Sequence, residues 1–318
     1  MAFANPFDAM QEAVNIVGQS EHPHNKIAAS LFFEDGRGLS RTNYWPEPVM
    51  AAFGPETSIG NSSGTVHAET ACILHAPFAT GGASLAITDP FCPNCAKNIA
   101  GAGIKAIYID HKGFDKDFFQ RRGGHFDTMS MRICEKAGIA VYELWRKDRR
   151  LSSIFEPPQN YAPIDDSPAQ CEPIEKPDEA VFKQLIAAAF ARHDQRKFAV
   201  AIAGDQNGAF YSIIMRSHAV TGFTMNDPQD IAAAELKEEK YSLFQEPVNR
   251  LLMFMARKGL KPVDGYIFSA HVPTSREQVN LAGAGIKRIT IGDIKKARDA
   301  ASFTAMQQLS QAGIIEYH

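Results

Sequence analysis

Apolar positions along the chain fall into two rhythms that alternate in a fixed order. "PFDAMQEAVNIVGQ" places them at helical spacing. "KIAASLFFED" and "GLSRTNYW" carry the shorter apolar runs of strands and are joined by the turn "EDGRG". The same order returns in the second half. "DEAVFKQLIAAAFARHD" reads as a helix, and "KFAVAIAGD" and "GAFYSIIMR" read as strands joined by "GDQNG". Between the halves, Ser152 to Glu179 is rich in proline and acidic residues with little apolar periodicity, which reads as a linker.

Further along each half the pattern becomes near-identity. "NIAGAGIK", starting at Asn98, and "NLAGAGIK", starting at Asn280, differ only at Ile99 and Leu281. A helical pattern precedes each, and a strand follows, "AIYID" or "RITIGD". One more helix and strand close each half, in "SMRICEKAGIAVYEL" and "FTAMQQLSQAGIIEYH". We read this as an internal duplication. It predicts an α/β protein with two tandem α/β/α sandwich domains. Each has a mixed sheet, helices on both faces and right-handed crossovers. The expected boundaries are residues 1–150, a proline-rich linker over 151–178, and 179–318. "GAGIKA" matches the spacing of a dinucleotide-binding glycine loop. That loop must follow a strand and open a helix, whereas this one follows a helix and opens a strand. Its glycines read instead as left-handed helix caps.

Composition narrows the function classes. The chain has 318 residues and a formal net charge of −3, so nothing global marks it for nucleic acid. The one dense basic run, "RKDRR" from Arg146 to Arg150, reads as a solvated helix end or linker. No run of 18 apolar residues occurs, so no membrane span is expected. The first residues lack the basic-then-apolar pattern of a secretory signal. The five cysteines are an odd, sparse set, which points to a reducing compartment and a cytoplasmic protein.

The candidate chemistry lies in "TVHAETACILHAPFATGGASLAITDPFCPNC". His67, Cys92 and Cys95 are zinc-type donors, and three protein ligands leave one position open for water, as in catalytic zinc sites. Cys92 and Cys95 fall in the first turn of a helix, where dipole and backbone N–H groups favour thiolates, and Pro93 suits that turn. His67 opens another helix, so two helix starts converge. Glu69, two residues after the histidine, is a poor fourth ligand and a natural proton shuttle. The competing readings are a redox dithiol, or a structural zinc with Cys72 as fourth ligand. His-x-Glu followed by Cys-x-x-Cys is, however, the signature of zinc-dependent nucleobase deaminases.

"TVHAETACIL", "LAITDPFCPNCAKNIAGAGIKAIYID" and "EKAGIAVYEL" resemble the cytidine and deoxycytidylate deaminase superfamily over most of residues 1–150. The last two pieces are similar to its deoxycytidylate-type branch, in which a helix precedes a parallel final strand. The resemblance implies a cytidine-deaminase-like fold, Zn2+ on His67, Cys92 and Cys95, and Glu69 as the catalytic proton shuttle. It also implies a substrate contact from Asn43, on the loop after the second strand. Further substrate contacts are expected from Ala68, from Phe91 as a pocket wall, from Tyr44 or Trp45 stacked on a flat ring, and from Asp110 or His111 after a strand. Two departures stand out. Phe91 occupies the place of the family's usual proline, and Ala71 stands where deoxycytidylate deaminases often carry asparagine. Arg41, Lys112, Arg121 and Arg122 are the loop cations available for a phosphate.

Aligned on the repeated motif, the second copy puts Thr274 opposite Cys92 and Glu277 opposite Cys95. Upstream it puts Phe244 opposite His67 and Glu246 opposite Glu69. All three ligands are gone, so the second copy is expected to be a degenerate, non-catalytic partner docked on the first as an intramolecular pseudo-dimer. Pairing of chains into a homodimer is also expected. The function expected is hydrolytic removal of the exocyclic amine from a free cytosine-type nucleoside or nucleotide. The alternatives are another aminated heterocycle (guanine, adenine, a pterin or a riboflavin-pathway pyrimidine) or a non-enzymatic zinc-containing binding protein. The partner is then a small aminated heterocycle, with neither nucleic acid nor membrane involved.

Overall fold

The computed structural model describes Phe3 and residues 5–116, 124, 126–193, 197–226, 228–234 and 239–318, so Arg121 and Arg122 lie outside the described residues. The first half supplies β1 (Ala28–Phe32), β2 (Gly38–Thr42), a small ribbon of β3 (Ser58–Ile59) and β4 (Ser62–Ser63), β5 (Ser84–Ile87), β6 (Ala106–Asp110), β7 (Ala140–Trp145) and β8 (Arg150–Phe155). The second supplies β9 (Gln170–Ile174), β10 (Phe198–Gly204), β11 (Phe210–Arg216), the short pair β12 (His218–Ala219) and β13 (Phe244–Gln245), β14 (Lys261–Val272), β15 (Arg288–Ala297) and β16 (Glu316–Tyr317).

Two six-stranded mixed sheets result, ordered β2-β1-β5-β6-β7-β8 and β16-β15-β14-β10-β11-β9. The expected α/β class with a mixed sheet in each half is therefore what the chain adopts. Strands β2-β1-β5 pair antiparallel, and β5-β6-β7 pair parallel. Strands β11-β10-β14 and β14-β15-β16 repeat that pattern. The segment read as a linker is not structureless: β8 adds antiparallel to β7, and β9 adds antiparallel to β11. Its prolines masked this, because an edge strand tolerates proline where an interior one does not.

Alternation sorts the strand residues. Ala29, Leu31, Leu85, Ile87, Ile107 and Ile109 face a large core that also contains Ala199, Ala201, Ala203 and Ile267 from the other sheet. The opposite faces carry separate, smaller cores. Phe32, Ala86 and Leu144 pack under the helix Pro6–Ile16. Phe198, Val200 and Ile202 pack under the helix Glu179–His193. The sheets thus sandwich a shared helical layer, and the contiguous apolar area it buries is the main force holding the halves together.

Polar contacts across that layer are specific. Lys97 Nζ donates to the carbonyls of Glu239, Ser242 and Phe244 at 2.7, 3.2 and 3.1 Å. Burial lowers its pKa to about 8. Gln245 Nε2 donates to Asn98 Oδ1 at 2.8 Å, and Lys261 Nζ to the carbonyls of Leu74 and Ala76 at 3.1 and 3.0 Å. The paired glycines of the repeated motif have reciprocal duties. A Cβ on Gly101 would stand 3.0 Å from Met253 Cβ, and one on Gly283 only 2.4 Å from Val66 Cγ2. Each glycine lets a helix end of one half approach the other.

Candidate metal centre

Two helix caps build the centre. His67 is the N-cap of the helix Ala68–His75 and Cys92 the N-cap of Pro93–Gly101, with Cys95 in the latter's first turn. Neither cap residue offers a side-chain oxygen to the exposed N–H groups, so both side chains turn instead toward a common point. His67 Nδ1 lies 3.1 Å from Cys95 Sγ and 3.6 Å from Cys92 Sγ, and the sulfurs are 3.6 Å apart. The three donor atoms all lie within 4.8 Å of one another, the only such group of potential ligands among the described residues.

The local chemistry suits a soft divalent cation. The hydrogen bond from Cys95, followed by His67 and Lys240, holds the Cys92 thiol well below its ordinary range. Burial and the neighbouring Cys92 push Cys95 up. One proton is therefore shared between two sulfurs, and a divalent cation bound there would make both thiolates. Glu69 is 3% exposed, and burial raises its carboxyl pKa. Its Oε2 is buried without a hydrogen-bond partner. Leaving such an atom unmatched costs roughly 1–3 kcal/mol, so it marks a place meant for a ligand or water. The residues present fit the zinc reading. Cys72 does not contribute: its Sγ faces the Ala29 carbonyl at 3.2 Å, and burial pushes its pKa to about 12.

The other expected contacts divide. Ala68, fully buried, begins the helix after His67. Phe91 is 2% exposed and meets Phe126 edge-on at 5.4 Å, making an aromatic wall beside Cys92. Trp45 is buried with its Nε1 unpartnered, and its ring stacks on His22 at 5.2 Å. Asn43 braces its own loop. Its Oδ1 accepts from Ser20 Oγ and Ile27 N at 2.8 and 3.0 Å, and its Nδ2 donates to the Asn25 carbonyl at 2.9 Å. Asp110 is spent structurally, accepting from Arg146 Nε at 3.0 Å and capping Lys112 N. His111 bonds to Glu143 and stacks on Trp145 at 4.7 Å. Tyr44 turns away toward the other half, its hydroxyl 2.7 Å from His75 Nε2 and 3.1 Å from the Gly283 carbonyl.

Several neighbours had no sequence signal. Arg276, from the second half, donates to the Thr65 carbonyl at 2.7 Å and to Ser63 Oγ at 3.2 Å, so it braces the loop that leads into His67. Arg276 also acts on Cys95, and Lys240 on Cys92, as positive charges that favour thiolate. His22 lies near enough to His67 to feel its charge. All three are distant in sequence from the Cys-x-x-Cys turn.

In the second half the caps correspond, with one change of register. Thr274 caps Ser275–Gly283 as Cys92 caps its helix, and Glu246 caps Pro247–Lys258 as His67 does. The backbone bridge Tyr44–Val66 has its counterpart in His218–Gln245. Position by position, Glu246 matches His67 and Val248 matches Glu69; the alignment that set Phe244 against His67 is two residues out. Glu277, in the place of Cys95, accepts from the backbone N–H groups of Val248, Asn249 and Thr274 and closes a capping box.

No family model matches the chain, and no characterised protein matches it by sequence. Among solved structures, the chain is similar to dCMP deaminase from the cyanophage S-TIM5 in complex with dCMP and dUMP. There the identity is 20% and the TM-score 0.32, covering 42% of this chain and 93% of that one. The apo form of the same enzyme gives 21% identity and a TM-score of 0.31, covering 44% and 96%.

Proposed function

We propose that the first half is a zinc-dependent hydrolase that removes the exocyclic amine of a free cytosine-type nucleoside or nucleotide. The observation that carries this reading is the convergence of His67, Cys92 and Cys95 beside a buried carboxyl, Glu69, with an unmatched oxygen. Metal binding alone does not require that carboxyl. His67, Cys92 and Cys95 would hold the zinc, which would supply a water acidified to a pKa of roughly 7. Glu69 would take the water's first proton at Oε2 and pass it to the ring nitrogen, then take the remaining hydroxyl proton and pass it to the departing amine. Burial raises its pKa, which favours the protonated form it needs in order to pass a proton on. Phe91 and Phe126 exclude water from one side, and Trp45 offers an indole N–H and a face for the ring. The second half, with no equivalent donors, serves as a scaffold, and the whole is the product of a duplication in which one copy kept the chemistry.

Ammonia release across a panel of aminated bases, nucleosides and nucleotides tests the reading. Cytosine-type compounds should lead the panel. Turnover only of guanine, adenine, a pterin or a riboflavin-pathway pyrimidine would keep the chemistry and change the substrate. No release from any member, with zinc bound, would leave a zinc-containing binding protein.

A further inference from the structure

The place in the second half that corresponds to the metal centre, among Glu246, Thr274 and Glu277, is nearly closed. Beside it, and sharing Glu246, a cavity of about 650 Å³ opens, lined by Lys197, Arg216, His218, Phe244, Glu246 and Arg298. That volume lies within the range of about 300–1,000 Å³ typical of small-molecule sites. The donors that would hold a metal have other occupations: Glu277 caps two helices, and Glu246 pairs with Lys197 and Arg298.

The charge of the lining is uneven. Lys197 and Arg298 share the single carboxylate of Glu246. Arg216 gives its Nε to Ser167 Oγ at 2.7 Å and an Nη to the Asp166 carbonyl at 3.4 Å, both neutral acceptors. Asp166 is the other carboxylate of the wall, and it accepts from the backbone of Met225 at 3.2 Å. Three cations against two carboxylates leave one positive charge in excess. Phe244 and Met225 add apolar surface to the same lining.

From the cations, the apolar wall and the size of this cavity we propose that the second half is a non-catalytic binding site for a nucleoside monophosphate. The phosphate sits at Arg216 with Lys197 and Arg298, and the base lies against Phe244 and Met225. A guanidinium presents a planar fork suited to phosphate, and an aromatic ring accepts a base without demanding its identity. This goes beyond the deaminase reading and does not depend on it.

Isothermal titration calorimetry on the full chain tests the site, with nucleoside monophosphates, the matching nucleosides, ribose 5-phosphate and inorganic phosphate as probes. At least one monophosphate should bind at least tenfold more tightly than its nucleoside and than inorganic phosphate. R216A should weaken that binding about tenfold or more, and R216K should weaken it less. M225E, which places a carboxylate on the apolar wall, should weaken it as well and carries the test if R216A does not fold. Wild-type affinity in the folded variants would overturn the proposal. So would a wild-type chain that binds no monophosphate, or one that binds inorganic phosphate equally well. Arg216-dependent binding by a chain that releases no ammonia would sink the deaminase reading and leave this site standing.

Discussion

At the scale of single residues, Glu69 is the most informative position. Its buried, unmatched Oε2 has no structural bond to lose. Glu69→Gln keeps the shape and removes the proton, so zinc content should stay normal while turnover falls by about 10²–10⁴-fold. A variant that keeps more than a tenth of wild-type activity would refute the shuttle role. Cys95→Ala should lose most of the metal, and metal analysis of the wild type should return one zinc per chain. The cluster was legible because helix starts and the Cys-x-x-Cys turn are local features that spacing alone fixes. The roles of Asp110, Asn43 and Tyr44 were not. Nothing near Asp110 in sequence announces Arg146, and nothing near Tyr44 announces the Gly283 carbonyl. A polar residue on a promising loop is ambiguous until its partners are known.

At the scale of elements, the order of strands and helices could be read from periodicity, because the two halves spell it twice. What periodicity missed were pairings that depend on distant chain. Strands β8 and β9 are short, without a fully buried residue, and proline-flanked or proline-bearing, so they carry little apolar signal. The register between the copies slipped by two residues because a Glu-to-Glu match outweighed the cap geometry that relates Glu246 to His67. The glycines of the repeated motif do more than end helices. Gly283 borders Val66, the residue immediately before His67. Gly283→Ala adds a methyl 2.4 Å from Val66 Cγ2, an overpacking that costs about 1–3 kcal/mol. Denaturant melts should show that loss, and zinc retention under a chelator should fall, although the substitution lies in the half without ligands. Adding Val66→Ala should restore part of both, making the pair non-additive. Full additivity would disconnect this helix end from the metal loop.

At the scale of the whole molecule, the shared helical layer makes each half incomplete alone. Removing the second half strips Lys97 of its three acceptors and leaves the Leu74 and Ala76 carbonyls without Lys261. A fragment of residues 1–165 would also expose the core face now covered by Leu251, Leu252 and Met255. It should aggregate or self-associate and lose activity, as read by light scattering coupled to size exclusion and by ammonia release. A monomeric, fully active fragment would refute the scaffold role.

The brace from Arg276 to Thr65 joins two parts of one covalent chain. Where a neighbouring molecule completes a site, the working fraction collapses once dilution passes the dissociation constant. Here that brace is never lost to dilution: it is present in every folded molecule. This support of the loop into His67 is then a property of folding, indifferent to how many copies surround it.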